Sequence, residues 1–162
     1  MKHLVVASLI VAGLSVRVPA QSADAWIERL SLCQDSWLDW KDDPAQTRTL
    51  VQRFDAAFSR KPDGGPWVPR ATTRIVGLPV VEAFPDSVGM GVGFSVTVAA
   101  TFATTRGQVE QAAGRPLTHC ETGDGLRTCA LDLAEQRTLM IMAPEDPKVT
   151  ATLIGCYYYY AR

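Results

Sequence analysis

The side chains able to act as nucleophiles or proton carriers are few in this sequence, and several stand together in His119-Cys-Glu-Thr-Gly-Asp-Gly-Leu-Arg-Thr-Cys129. A thiolate beside an imidazole is one way to build a cysteine nucleophile, but the spacing points to different chemistry. Asp124-Gly125 is a preferred dipeptide for a two-residue type I′ turn, both of whose residues need positive φ. Counting outward from it sets Gly123 opposite Leu126, Thr122 opposite Arg127, Glu121 opposite Thr128 and Cys120 opposite Cys129. The cysteines meet at a non-hydrogen-bonded site, where opposed Cα atoms come within about 4.5 Å, near the lower limit of disulfide geometry. The expected chemistry is therefore a hairpin closed by a disulfide, with no thiol left to react.

The remaining candidates for catalysis lack a constellation. His119 falls opposite Ala130, on the face away from the two sulfurs, and no G-x-S-x-G, H-E-x-x-H or S-x-x-K motif occurs. Glu82, Asp86, Glu110, Glu121, Asp124, Asp132 and Glu135 are available for carboxylate-pair chemistry of the glycosidase kind. Nothing in their spacing selects a pair, so an envelope hydrolase or cell-wall-binding enzyme is the alternative reading, not the first. The glycines at 89, 91 and 93 are followed by no helix and no G-K-[ST], which argues against a phosphate loop. No C-x₂-C pair or histidine cluster calls for a metal, and no cofactor is expected.

The start of the chain sets the compartment. Lys2, an apolar run over residues 4–16 and the small residues of Val18-Pro-Ala20 read as a secretory signal peptide. The run is shorter than the roughly twenty residues a membrane span needs, so cleavage and no stable membrane anchor are expected. Ala23-Asp-Ala25 offers a second, less favoured cut. Residues 21–162 then form one exported domain, periplasmic or secreted, with a net charge of about −3 and a single histidine. Weak acidity argues against nucleic acid, which selects basic patches. All four cysteines fall in this part, an even number in an oxidising compartment.

Periodicity supplies the elements that position these residues. Trp26, Leu30, Cys33, Trp37 and Trp40 share one face of a helix over 24–42. Asp43-Pro44 restarts the chain as N-cap and N1 of a second helix, with Leu50, Val51, Phe54, Ala57 and Phe58 apolar and an end near Arg60. Two adjacent short helices imply an antiparallel pair. From Ala71 the period becomes two: a strand over 74–84 that Gly77 and Pro79 make an edge strand or an interrupted one, a clean strand over 94–102 with one small, wet face, and the hairpin. A central strand over 138–142 and a last strand over 149–160 complete the set. A short helix capped by Thr105 and stopped by Gly114 separates the clean strand from the hairpin. Thr105-x-x-x-Val109-Glu110-x-x-x-Gly114-x-Pro116 resembles the helix-to-strand entry of small outer-membrane assembly domains and β-lactamase-inhibitor domains, over a dozen residues, though here it follows a long strand and not a helix pair.

Elimination leaves Cys156 as the partner of Cys33, a bond that ties the first helix to the last strand. Tyr158 and Tyr160 then lie on the helix-covered face, and Tyr157 and Tyr159 on the other. The expected architecture is α+β: two N-terminal helices on one face of a mainly antiparallel sheet of five or six strands, one short inserted helix and two disulfides. The expected function is non-catalytic binding of an envelope or secreted protein, as an inhibitor, immunity-type protein or adaptor. A disulfide-clamped tip is pre-ordered and lowers the entropic cost of binding, so the candidate binding residues are Glu121, Thr122, Asp124 and Arg127, with Tyr157 and Tyr159.

Overall fold

The computed structural model describes residues 23–37, 44–85, 92–134 and 136–158. The signal-peptide segment, Trp40, the Asp43 cap, Asp86, the glycines at 89 and 91, Glu135, Tyr159 and Tyr160 lie outside the described residues. The elements are α1 (Ala23–Ser31), α2 (Pro44–Ala57), β1 (Phe58–Arg60), β2 (Trp67–Pro69), β3 (Arg74–Ile75), β4 (Leu78–Phe84), β5 (Gly93–Val98), α3 (Phe102–Ala113), β6 (His119–Gly123), β7 (Leu126–Leu133), β8 (Arg137–Pro144) and β9 (Thr152–Tyr158). None of these helices is long and apolar enough to cross a membrane.

All strand pairings are antiparallel, in the order β1-β2-β4-β5-β9-β8-β7-β6, with β3 on β4. Among the described residues nine strands stand where five or six are expected, because the segment over 74–84 is divided and the end of the second helical stripe joins the sheet. Of the two readings of 74–84, an edge strand or an interrupted one, the structure has the second, as a hairpin. Val76 and Gly77 take φ of 45° and 77° and bring Ile75 opposite Leu78, so β4 is an interior strand flanked by β2 and β5. The second helix ends at Ala57, not Arg60, and Phe58–Arg60 pairs with Trp67–Pro69 as β1 and β2. Phe58 is fully buried in this arrangement and stacks on Phe54 at 4.7 Å; local helical spacing yields to a tertiary partner.

The first helix is also shorter than its stripe. It ends at Ser31, and Cys33 adopts φ of 59° beyond it. The Gln34 and Asp35 N–H groups both donate to the Arg29 carbonyl, at 2.8 and 3.2 Å, closing the turn with a left-handed residue as helix C-termini commonly do. Cys33 and Trp37 therefore reach the core from irregular chain. Their anchors are a disulfide from Cys33 to Cys156 and a hydrogen bond from the Trp37 N–H to the Tyr158 hydroxyl at 3.0 Å. The two N-terminal helices meet chiefly through Trp26 and Phe54, whose ring centroids are 6.5 Å apart, while α1 packs on β3, β5 and β9 and α2 against β1.

Helix α3 begins one turn before the expected cap. Thr101 is the N-cap, its hydroxyl accepting from the Thr104 N–H at 3.3 Å, and Thr105 is buried inside the helix. The clean strand accordingly ends at Val98, and Phe102 belongs to α3. Gly114, at φ 67°, closes the C-terminus.

The core lies on one side of the sheet only. Phe94, Val96 and Val98 of β5, Ile154 and Cys156 of β9, Leu139 and Ile141 of β8 and Cys129 and Leu131 of β7 form its floor, roofed by Trp26, Ile27 and Leu30 of α1 and Val109 of α3. At about 1.5–3 kcal/mol for each large apolar side chain buried, this layer fixes which way every strand faces. A one-residue slip in any strand would turn its apolar set outward.

Candidate functional site

Because side chains alternate along a strand, fixing the core face also fixes its opposite, which none of the three described helices covers. Across that open face the register aligns Glu121, Thr128, Met142, Leu153, Thr97 and Glu82 in one row over six strands. The next row is His119, Ala130, Met140, Gly155 and Ser95, and beyond it lie Asp132, Thr138 and Tyr157. Met140, Met142, Leu153, Tyr157, Thr97 and Thr128 are all half-buried. The face expected to be small and wet is thus apolar at its centre, and Ser95 is fully buried. The reason is its neighbours: β5 contributes small side chains, while β8 and β9 beside it contribute methionine, leucine and tyrosine.

The margin of this face is polar and mainly acidic. Thr138 is 2% exposed and donates its hydroxyl to Asp132 Oδ1 at 2.8 Å, while Asp132 Oδ2 lies 3.5 Å from His119 Nε2. Asp132 thus bridges a hydroxyl and an imidazole, so that the carboxylate holds the hydroxyl, whereas in the relay that activates a nucleophile the imidazole does. Glu121 is exposed on the edge strand β6. At the opposite margin Glu82 is paired with Lys61 at 2.9 Å.

The hairpin has the register counted from its turn, including His119 opposite Ala130, and Cys120 and Cys129 are joined. Asp124 and Gly125 take φ of 54° and 77°. The tip residues divide between the two faces. Glu121 lies on the open face; Thr122 and Arg127 lie on the helix-bearing side. The Arg127 guanidinium stands 5.3 Å from the centre of the Phe102 ring and donates to the Pro144 carbonyl at 3.5 Å. Arg127 thereby anchors the hairpin to α3 and β8.

No family model, curated protein or solved structure matches this chain.

Of the residues singled out in the sequence, the open face carries both Glu121 and Tyr157, but three strands and two rows apart; Asp124 stays at the turn, and Tyr158 faces the core with Cys156. Met140, Met142 and Leu153 were missed. The available signal was the period of two in β8 and β9, which puts one apolar set of each strand away from the helices. Among the described carboxylates, Glu82, Asp132 and Glu110 are each held by a partner other than a second carboxylate. Beyond those of Glu82 and Asp132, the Glu110 carboxylate accepts from Arg106 Nε at 2.8 Å and from the Leu117 N–H at 3.0 Å. That hydrogen bond from Arg106, followed by the one from Leu117, holds Glu110 below the usual carboxylate range. Among the described residues no group of three or more His, Cys, Asp or Glu could hold a metal. What the open face can do is bind: an apolar centre able to repack around a partner, since methionine side chains are flexible and polarizable, inside a polar margin that resists non-specific contact.

Proposed function

We propose that this chain is an exported, non-catalytic binding protein, periplasmic or secreted, acting on an envelope or secreted protein as an inhibitor, immunity-type protein or adaptor. The observation that carries the reading is the open sheet face, where Met140, Met142, Leu153 and Tyr157 form an apolar centre bordered by His119, Glu121 and Asp132. An apolar centre inside a polar rim is how protein interfaces are built. The acidic rim selects a partner that sets an apolar knob among lysines or arginines. Export is supported by two disulfides, which persist in oxidising compartments, and by the signal-like residues 1–20.

The test is capture from envelope extract and culture fluid on immobilised, oxidised protein, with Met142→Glu/Leu153→Glu as the face variant and Asp124→Ala as the tip variant. A protein retained by the wild type, lost by the face variant and released by salt is the expected result. Equal retention by wild type and face variant, at unchanged melting temperature, overturns the assignment of this face.

A further inference from the structure

The helix-bearing side of the sheet, at the end remote from the hairpin, contains a cavity of about 700 Å³ between α2, the β1–β2 hairpin and the end of β4. Its volume falls within the roughly 300–1,000 Å³ of small-molecule sites. The walls are Trp37, Leu50, Phe54 and Trp67. Phe54 stands edge-on to both indoles, at 5.7 Å and 67° to Trp37 and at 5.0 Å and 75° to Trp67. Trp37 and Phe54 are buried and Trp67 is half-buried, so Trp67 offers the larger aromatic surface to a ligand, with the edges of Trp37 and Phe54 behind it.

The charge at the lip belongs to Arg60, the cross-strand neighbour of Trp67 in the β1–β2 pair. One of its guanidinium nitrogens donates to the Gly64 carbonyl at 3.3 Å, which tethers the cation beside the aromatic wall and leaves its other N–H groups to serve an acceptor. Among the described residues Asp55 is the one acidic residue in the lining. The surrounding segment 44–85 is basic: Arg48, Arg53, Arg60, Lys61, Arg70 and Arg74 stand against Asp55, Asp63 and Glu82, in a chain whose net charge is −1. Lys61 is committed to Glu82, and Arg70 Nε donates to the carbonyls of Asp55 and Phe58, so among the described residues Arg60 is the cation on the cavity itself.

We propose that this cavity binds a small organic anion with a flat aromatic body, its ring against Trp37, Phe54 and Trp67 and its carboxylate or sulfonate on Arg60. Offset and edge-on contacts hold the ring, and a planar guanidinium suits a planar or tetrahedral oxyanion. The site lies on the opposite layer from the open sheet face and does not depend on the protein-binding reading.

A pair of fluorescent probes tests the proposal on the oxidised protein: 1-anilinonaphthalene-8-sulfonate and its uncharged counterpart N-phenyl-1-naphthylamine, which share a ring system and differ in the anion. The wild type is expected to bind the sulfonate saturably and about tenfold more tightly than the neutral probe, the scale of one charge-assisted hydrogen bond. Arg60→Gln should abolish that preference and leave neutral-probe affinity within about twofold, while Lys61→Gln preserves it. Leu50→Trp fills the cavity and should weaken both probes by about tenfold or more. Should Leu50→Trp also lower the melting temperature, Val51→Trp replaces it, at a lining position that is 42% exposed. Non-saturable binding, equal affinity for the two probes, equal loss from Arg60→Gln and Lys61→Gln, or undiminished binding by the filled variant each overturns the proposal.

Discussion

Cys33 provides a test in which the sign of a stability difference distinguishes two backbone conformations. The residue takes φ of 59°, whereas the stripe Trp26, Leu30, Cys33, Trp37 would place it inside a helix. Its bond to Cys156 spans a sequence separation of 123, and the chain-entropy model assigns such a loop about 5 kcal/mol of stabilisation. Two variants remove the bond equally: Cys33→Ala/Cys156→Ala and Cys33→Gly/Cys156→Ala. A left-handed position penalises alanine over glycine by about 1–2 kcal/mol, whereas a helix interior penalises glycine over alanine by about 1 kcal/mol. Urea unfolding followed by tryptophan fluorescence reads both effects. With a urea slope of about 2 kcal/mol per M, losing the bond lowers the midpoint by about 2.5 M, and the glycine variant then unfolds about 0.5 M later than the alanine variant. If the wild-type margin is too small to bear the loss, an excluded osmolyte restores a measurable baseline for both. An alanine variant that outlasts the glycine variant would mean that the chain is helical at Cys33. A midpoint that hardly moves in either would mean that the bond does not constrain the unfolded chain.

Three other outcomes follow from the same structure. Cys120→Ala/Cys129→Ala opens a loop with a sequence separation of only 9, so it should cost less than the long bond, about 3 kcal/mol, with lost amide protection confined to β6 and β7 in hydrogen exchange. Tyr158→Phe removes the acceptor of the Trp37 N–H and should cost about 1–3 kcal/mol in urea unfolding; a neutral change would mean that the Trp37 amide is satisfied without it. Asp35, hydrogen-bonded to Arg29, and Glu110, hydrogen-bonded to Arg106 and the Leu117 N–H, are both held below their ordinary values of 3.8 and 4.5. Their contribution is complete above those values and is lost as pH falls through the lower folded ones, so melting temperature should decline below about pH 4.5, and Arg106→Gln should flatten that decline without moving the hairpin's amide protection.

The parts of this molecule that could be read from sequence are those whose geometry is local. Asp124-Gly125 determines its own turn, and once the turn is set the opposition of Cys120 to Cys129 is arithmetic. The assignment of Tyr158 to the core and Tyr157 to the other face required only the period of two and one known neighbour, Cys156. What escaped was decided by distant partners. Phe58 has the spacing of a helix residue but joins a strand because Trp67 and Pro69 offer it an edge. At Val76-Gly77 the glycine marks an interruption in the strand, while Val76, a β-branched residue at positive φ, gives little warning that the break is a two-residue turn. The open face was half visible: the period of two puts Met140, Met142 and Leu153 on the side away from the helices, but their alignment into one patch comes from the register of β8 on β9, which no local pattern supplies.

The strand order holds a consequence for how the protein is made. The sheet consists of an early part, β1 to β5, and a later hairpin system, β6 to β8, and the two are joined through β9, which lies between β5 and β8. Until Thr152–Tyr158 is in place, β5 has an unpaired side and carries Phe94, Val96 and Val98, and Cys33 lacks its partner Cys156. Such long-range closure is slow and leaves strand edges open to other chains while it is awaited. If the chain takes the export route proposed above, this order helps to keep it unfolded on the way, since its central seam cannot close until β9 has emerged. The same order makes β9 the place where a truncation or a slow refolding step would separate the molecule into two incomplete sheets.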